Sequence, residues 1–335
     1  MIDTFLFAAN AILPIVVIIA LGYVLRRIGF MDLHFVNLLN KYVFRVGLPV
    51  LLFLNIYSIE KFSDIKFGVV LYAVGMMLIL HWIGYMLIPF LVKDPNQKGV
   101  ILQMVVRSNF ALIGIPLAQT LGGVEAIAIV ALISAFTIPL ANVLSVVSLT
   151  MYQTDELGGR ISPKKVIQSI LSNPLIIGVF TGLIVLLLRG ITTSSNGDLF
   201  YSIKRDTPFI YDALKMISQT ASPMALIALG GQFEISVIKP LIKKIALGVS
   251  WRILFVPAIA LSIAYMIEPW IPGMNQAYVA LIALFATPAA VSSAIMVHEM
   301  GGDEQLAGQL VVWSSIFSIV TMFFIIVIFR TLGGI

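Results

Sequence analysis

Two short stretches of an otherwise apolar chain hold the residues whose types and spacing could do chemistry. The first reads Arg107-Ser108-Asn109-Phe110-Ala111-Leu112-Ile113-Gly114-Ile115-Pro116-Leu117, and the second Phe285-Ala286-Thr287-Pro288-Ala289-Ala290-Val291-Ser292-Ser293. Each sets a proline in the middle of a hydrophobic run, where the missing N–H and the ring clash interrupt a helix. In lipid, the freed backbone groups need protein partners or a water-lined cavity. A broken helix also presents an N-terminus, whose unpaired N–H groups and positive dipole end favour an anion. Arg107 adds a charge at the same depth, and Asn109 adds donors and an acceptor suited to a carboxylate or amide.

The chemistry this implies is binding, not bond-making. The chain has no cysteine and only three histidines, His34, His81 and His298. Thiol catalysis, disulfides and Cys-ligated metals are excluded, and a zinc protease is poorly supported. Neither a Gly-x-Ser-Gly element nor paired intramembrane aspartates is present, so an intramembrane enzyme is disfavoured. No cofactor or metal is expected. The candidate substrate-binding residues are Arg107, Ser108, Asn109, Gly114, Ile115 and Pro116 in the first stretch, with Thr287, Pro288, Ala289, Ser292 and Ser293 in the second. Plainer readings stand beside these. The prolines would simply kink packed helices, Arg107 would snorkel to the interface, and the serines would bond their own backbone. His81, inside the third apolar run, is a candidate proton carrier or a packed, hydrogen-bonded histidine.

The elements that position these residues follow from composition. Hydrophobic residues make up 60% of 335 and charged residues 11%, and the mean hydropathy is +1.04. Soluble domains carry about 25% charged residues, so this surface belongs in a bilayer, whose core needs about 20 apolar residues per helix. Apolar runs fall near 4–25, 35–57, 67–92, 99–120, 125–151, 166–189, 208–231, 241–267, 275–298 and 305–330. The expected fold is an all-α membrane protein of about ten transmembrane helices. Helix breaks are expected at Pro49, Pro116, Pro223 and Pro288. The first run is preceded by Asp3 and lacks a small-residue cleavage site, so it is read as a mature helix.

An internal repeat organises the runs. Ile83-Gly84-Tyr85-Met86-Leu87-Ile88-Pro89 matches Ile263-Ala264-Tyr265-Met266-Ile267-Glu268-Pro269 at an offset of 180 residues. Gly122-Gly123-Val124-Glu125 matches Gly301-Gly302-Asp303-Glu304 at 179, Pro14 with Gly22 matches Pro174 with Gly182 at 160, and Pro49 matches Pro223 at 174. An odd number of spans per repeat makes the second copy enter from the opposite side, an arrangement that places a binding site where the repeats meet. The expected organisation is a first five-helix repeat over 1–151, a short cytoplasmic linker over 152–165 and an inverted repeat over 166–335. Broken spans four and nine would cross, and at the 179-residue offset Pro288 falls opposite Asn109.

The net charge of +5 arises from basic residues scattered through loops, which points to membrane orientation and not to nucleic acid. Arg26, Arg27, Lys93, Lys98, Arg160, Lys164, Lys165, Lys239, Lys243 and Lys244 fall on one side, against Lys61, Lys66, Arg189, Lys204, Arg205, Lys215 and Arg330 on the other, a modest bias of ten to seven. The richer side is expected to be cytoplasmic, with both termini outside the cytoplasm.

The motifs Asn109-x4-Gly114-Ile115-Pro116-Leu117, Leu48-Pro49-x-Leu51-Leu52, Asn173-Pro174-Leu175-Ile176 and the central Pro288 resemble the auxin efflux carrier family. The resemblance runs along essentially the whole chain, with its specific motifs in spans two, four and nine. It implies a ten-helix fold related to bile-acid sodium symporters, with a scaffold and a transport domain that each mix helices from both repeats. It also implies that Asn109 contacts a substrate carboxylate. The linker over 152–165 is short, Thr287-Pro288-Ala289-Ala290 lacks the glutamine that follows the proline in plant carriers, and their third-span acid–lysine pair has no equivalent here. These departures point to a small organic acid such as malate or malonate in place of auxin. The expected partners are that anion, H+ or Na+ as coupling ion, the lipid bilayer and a second copy as a homodimer. A sodium-coupled symporter of the bile-acid type and a non-transporting receptor are the alternatives.

Overall fold

The computed structural model describes residues 2–58, 67–110, 117–118, 121–153, 163–192 and 201–335. Among the described residues the regular structure is helical, with no strand longer than an isolated bridge. Helix α1 spans Ile2–Arg27. Helices α2 (Leu33–Tyr42) and α3 (Leu48–Tyr57) join through a π-turn at Val43–Gly47. Next come α4 (Phe67–Leu91), α5 (Pro95–Val106) and α6 (Gly123–Thr150). The second half holds α7 (Pro163–Leu171), α8 (Pro174–Thr192), the short α9 (Ile203–Asp206) and α10 (Pro208–Gln232). Helices α11 (Ile238–Ser250) and α12 (Val256–Ile267) flank a second π-turn at Trp251–Phe255. The chain ends with α13 (Tyr278–Phe285), α14 (Val291–Met300) and α15 (Glu304–Thr331).

Five described stretches are long and apolar enough to cross a membrane: Leu33–Tyr57, Phe67–Leu91, Ile129–Thr150, Ile235–Trp270 and Glu304–Thr331. Pro174–Arg189 and Asn275–Phe285 are shorter apolar helices. Large apolar side chains such as Leu71, Trp82, Phe90, Leu187 and Phe324 lie exposed on the outside, while Gln103, Arg107, Asn142, Arg252, Gln309 and Ser315 are buried. That inside-out distribution is what a hydrocarbon solvent selects, because buried polar groups then find partners that lipid does not offer. Aspartates start three of the helices. Asp32, Asp94 and Asp303 each accept a hydrogen bond from a first-turn N–H, of Phe35, Asn96 and Leu306 respectively, satisfying donors that helix starts leave orphaned.

Two sets of helices pack within themselves, and they also join each other, α1 lying along α15 and α14 touching both α10 and α15. In one, α1 lies along α10, α3 lies along α8, and α10 also touches α2 and α3. In the other, α4, α5 and α6 pack together, as do α11 with α15 and α12 with α13. Close approach between helices depends on missing side chains. A Cβ at Gly22 would overlap the backbone of Ile227, and one at Gly230 would overlap the Ile19 carbonyl oxygen. Small residues of this kind let membrane helices pack backbone to backbone.

The expected proline breaks divide. Pro288 lies in the interruption between α13 and α14. Pro223, by contrast, sits inside the continuous helix α10, so no break occurs there; a membrane helix tolerates proline when neighbouring helices and hydroxyl groups accommodate the loss. At Pro49 the chain does not open either. The π-turn before it widens the ladder and α3 resumes with the proline in its first turn, where no N–H is required. Pro116, with Gly114 and Ile115, lies outside the described residues. The interruption in the fourth run lies earlier than those three residues, because α5 ends at Val106.

Candidate functional site

Where α5 ends, the chain turns extended, and the segment between α13 and α14 does the same. The two meet as a two-residue antiparallel bridge, Ser108 opposite Ala289. The Asn109 N–H donates to the Pro288 carbonyl at 2.8 Å, and the Ala290 N–H donates to the Arg107 carbonyl at 3.1 Å. Two interrupted helices thus supply each other's missing backbone bonds. The Ala289 N–H is met by Ser314 Oγ of α15 at 3.1 Å.

On one side of this junction lies a cavity of about 80 Å³, lined by Arg107, Ser108, Asn109, Thr137, Asn142, Ser222 and Ser292 among apolar residues of α3, α6, α8 and α10. A buried water needs roughly 10–15 Å³ by this measure, so the space suits a ligand of a few heavy atoms. Arg107 is 5% exposed. Its Nη1 donates to Asn142 Oδ1 at 2.9 Å, while Nη2 and Nε donate to Ser292 Oγ at 2.9 and 3.3 Å. Among the described residues no carboxylate pairs with its guanidinium. Asn142 is itself held by donation from Nδ2 to the Ile138 carbonyl at 2.8 Å, which fixes its oxygen towards the arginine. Asn109 Nδ2 is buried without an acceptor among the described residues. Helix α14 begins at Val291 with Ala290, Val291 and Ser292 on the cavity wall, so its positive dipole end faces the same space. The arrangement is a small, partly open, electropositive pocket with several donors on its wall.

On the other side of the junction the polarity reverses. The carbonyls that end α5 and α13 converge on Arg252, which projects from the π-turn between α11 and α12. Its Nε donates to the Thr287 carbonyl at 2.9 Å and its Nη1 to the Val105 carbonyl at 3.0 Å; Nη2 donates to the carbonyls of Leu284 and Phe285 at 2.9 and 3.1 Å.

The structure therefore sorts the expected site residues. Arg107, Ser108, Asn109 and Ser292 share the cavity. Thr287 instead turns back to bond the Ala283 carbonyl at 2.8 Å, and Pro288 and Ala289 contribute backbone to the bridge. Ser293 is fully buried, with its carbonyl accepting from Gln103 Nε2 at 3.2 Å. None of these four lines the cavity. His81 lies in α4, and its Nδ1 has no partner among the described residues; it is also absent from the cavity wall. Sequence reasoning missed Asn142 and Arg252. Both are polar residues inside apolar runs, and that cost in lipid, about 2.5–3.5 kcal/mol for a central arginine, was the available signal.

Compared with known proteins, residues 7–326 match the family model described as membrane transport protein. No curated protein sequence matches the chain.

Proposed function

The chain belongs to the membrane transport protein family, that of the auxin efflux carriers, and we propose that it is a secondary transporter which carries a small organic anion by alternating access. One observation carries the substrate class: Arg107 is buried at the cavity with neutral partners only, Asn142 and Ser292, among the described residues. A buried cation that lacks a carboxylate partner is poorly compensated, and a bound carboxylate supplies the missing charge. Asn109 Nδ2, without an acceptor, is a second donor for the same anion, and the dipole of α14 adds to the attraction. The small volume favours a short mono- or dicarboxylate.

The cavity wall supports alternating access. Leu48, Leu51 and Leu52 of α3, Leu175 of α8, and Ser222 and Ala225 of α10 come from one helical group; Arg107 and Asn109, which follow α5, and Asn142 of α6 come from the other, and Ser292 from α14, which packs on both. A ligand bridging two such groups is released when one slides on the other. The inverted-repeat reading also gains support from packing. The pairs α1 with α10 and α3 with α8 are the first run against the seventh and the second against the sixth, one contact with the repeats exchanged. The matched glycines Gly22 and Gly182 sit in these two contacts, facing Ile227 and Ile56. The bridge falls on the repeat's own register, since Asn109 bonds the residue to which the 179-residue offset relates it, Pro288. In this reading ten helices cross the cell membrane and both termini lie outside the cytoplasm.

The test is a thermal-shift panel of organic acids on purified protein, run with Asn109→Ala and Arg107→Gln alongside. An acid that stabilises the wild type and shifts neither variant, each variant remaining folded, supports the assignment. Equal shifts in all three proteins place the anion elsewhere, and no shift from any acid removes the organic-anion reading.

A further inference from the structure

Two half-helix C-termini meeting in the interior of the protein pose an electrostatic problem of their own. The last carbonyls of α5 and α13 lack intrahelical partners and carry the negative ends of two dipoles, each equivalent to roughly half an elementary charge. Such carbonyl clusters in broken membrane helices are where transporters hold a coupling Na+. Here the cluster exists, formed by the carbonyls of Val105, Leu284, Phe285 and Thr287, and the guanidinium of Arg252 is already in it.

We infer that Arg252 is a built-in cation at the junction of the two broken helices, occupying the place a coupling Na+ would take and making the carrier independent of Na+. Three features carry this. Arg252 is 1% exposed, so its charge is fully committed to the interior. Its hydrogen-bond partners are all main-chain carbonyls, of Val105 in α5, Leu284 and Phe285 in α13, and Thr287 in the segment that follows α13; among the described residues no carboxylate joins them. The gap beside it, walled by Met77, Leu80, Val105, Leu284 and Phe285, admits no water molecule, leaving no room for a hydrated ion. A planar fork with five N–H donors reaches four carbonyls at once, which a point charge such as lysine does not reproduce. Arg252 is thus a positioning residue: it touches no substrate, and it fixes the carbonyl ends whose opposite faces carry Arg107 and Asn109.

The consequence for coupling rests on the transporter reading, but the test does not use substrate, so the two stand or fall separately. Thermal stability of the purified full chain is measured in NaCl and in choline chloride at equal ionic strength. The wild type is expected to show no Na+-specific shift; a saturable rise with Na+ overturns the proposal. Arg252→Ala is expected to melt about 10 °C lower and to recover on addition of millimolar guanidinium, which leaves the wild type unchanged. A variant as stable as wild type without added cation, or a destabilised one that neither guanidinium nor Na+ restores, shows that the side chain matters by packing alone and overturns the proposal. Should Arg252→Ala fail to fold, Arg252→Lys takes its place. A midpoint below that of the wild type and insensitive to Na+ is then the expected result, and a Na+-dependent midpoint the contrary one.

Discussion

The behaviour of Arg107 depends on what its neighbours leave undone. Asn142 holds Nη1 through an amide oxygen at 2.9 Å, which orients the guanidinium and leaves its charge uncompensated. Replacing that amide with a carboxylate keeps the shape, changes the charge and gives up the Nδ2 donation to the Ile138 carbonyl, a loss smaller than the gain from the new ion pair. Asn142→Asp therefore places an anion where Arg107 already donates, and the internal pair competes with any ligand. We expect organic-anion affinity to fall about 10- to 100-fold, the loss of one charge-assisted interaction, while the melting temperature holds or rises. Isothermal titration beside a melting curve separates the two effects. Anion binding at wild-type strength would show that the ligand does not rely on the guanidinium. Residue types at the cavity were legible in part: Arg107, Asn109 and Ser292 stand out as polar groups beside interrupted apolar runs. Asn142 was not, since its contact with Arg107 crosses 35 residues and leaves no trace in spacing. Arg252 escaped for a different reason, because its partners are carbonyls, which every residue has and no sequence pattern marks.

At the scale of elements, glycine decides how closely the helices approach, and the effect is separable from glycine's weak helix propensity. Gly230 lies where a Cβ would strike the Ile19 carbonyl of α1, whereas Gly75 in α4 has open space at the same point. Gly230→Ala forces α1 and α10 apart and is expected to cost about 1–3 kcal/mol, as overpacking does. Gly75→Ala gains helix propensity, up to about 1 kcal/mol, and is expected to be neutral or mildly stabilising. Opposite signs in a denaturation series bear this out, and equal effects would mean the contact between α1 and α10 yields freely. The same scale shows where sequence reasoning stopped short. Prolines drew attention to Pro223, yet α10 runs through it. In the fourth run, no proline or glycine marks the place where α5 ends, after Val106. There the interruption is tertiary: the Arg107 and Asn109 backbone groups leave the helical path because the segment at Pro288–Ala290 offers them partners, and only the folded arrangement reveals that exchange.

For the whole molecule, the proposed alternating access requires that the cavity, walled by helices of both groups, open to each side of the membrane in turn. The absence of cysteine from the chain makes this directly measurable with a single introduced thiol. Ser222 of α10 lines the same cavity as Arg107, and Ser222→Cys exchanges only the side-chain oxygen for sulfur. In proteoliposomes, Ser222→Cys is expected to react with a membrane-impermeant maleimide added to either side, because a population of carriers samples both openings. The transported anion, by occupying the cavity, is expected to slow the reaction from both sides in proportion to its occupancy. Labelling confined to one side, unchanged by ligand, would describe a pocket with a single permanent entrance, as a receptor has, and would remove alternating access. Labelling from both sides that the anion does not slow would keep the two openings and move the ligand elsewhere. The outcome expected here needs both the shared cavity and the motion of one group against the other. Neither follows from the hydropathy that placed the helices in the membrane, since hydropathy reads outer faces, and this property belongs to the inner ones.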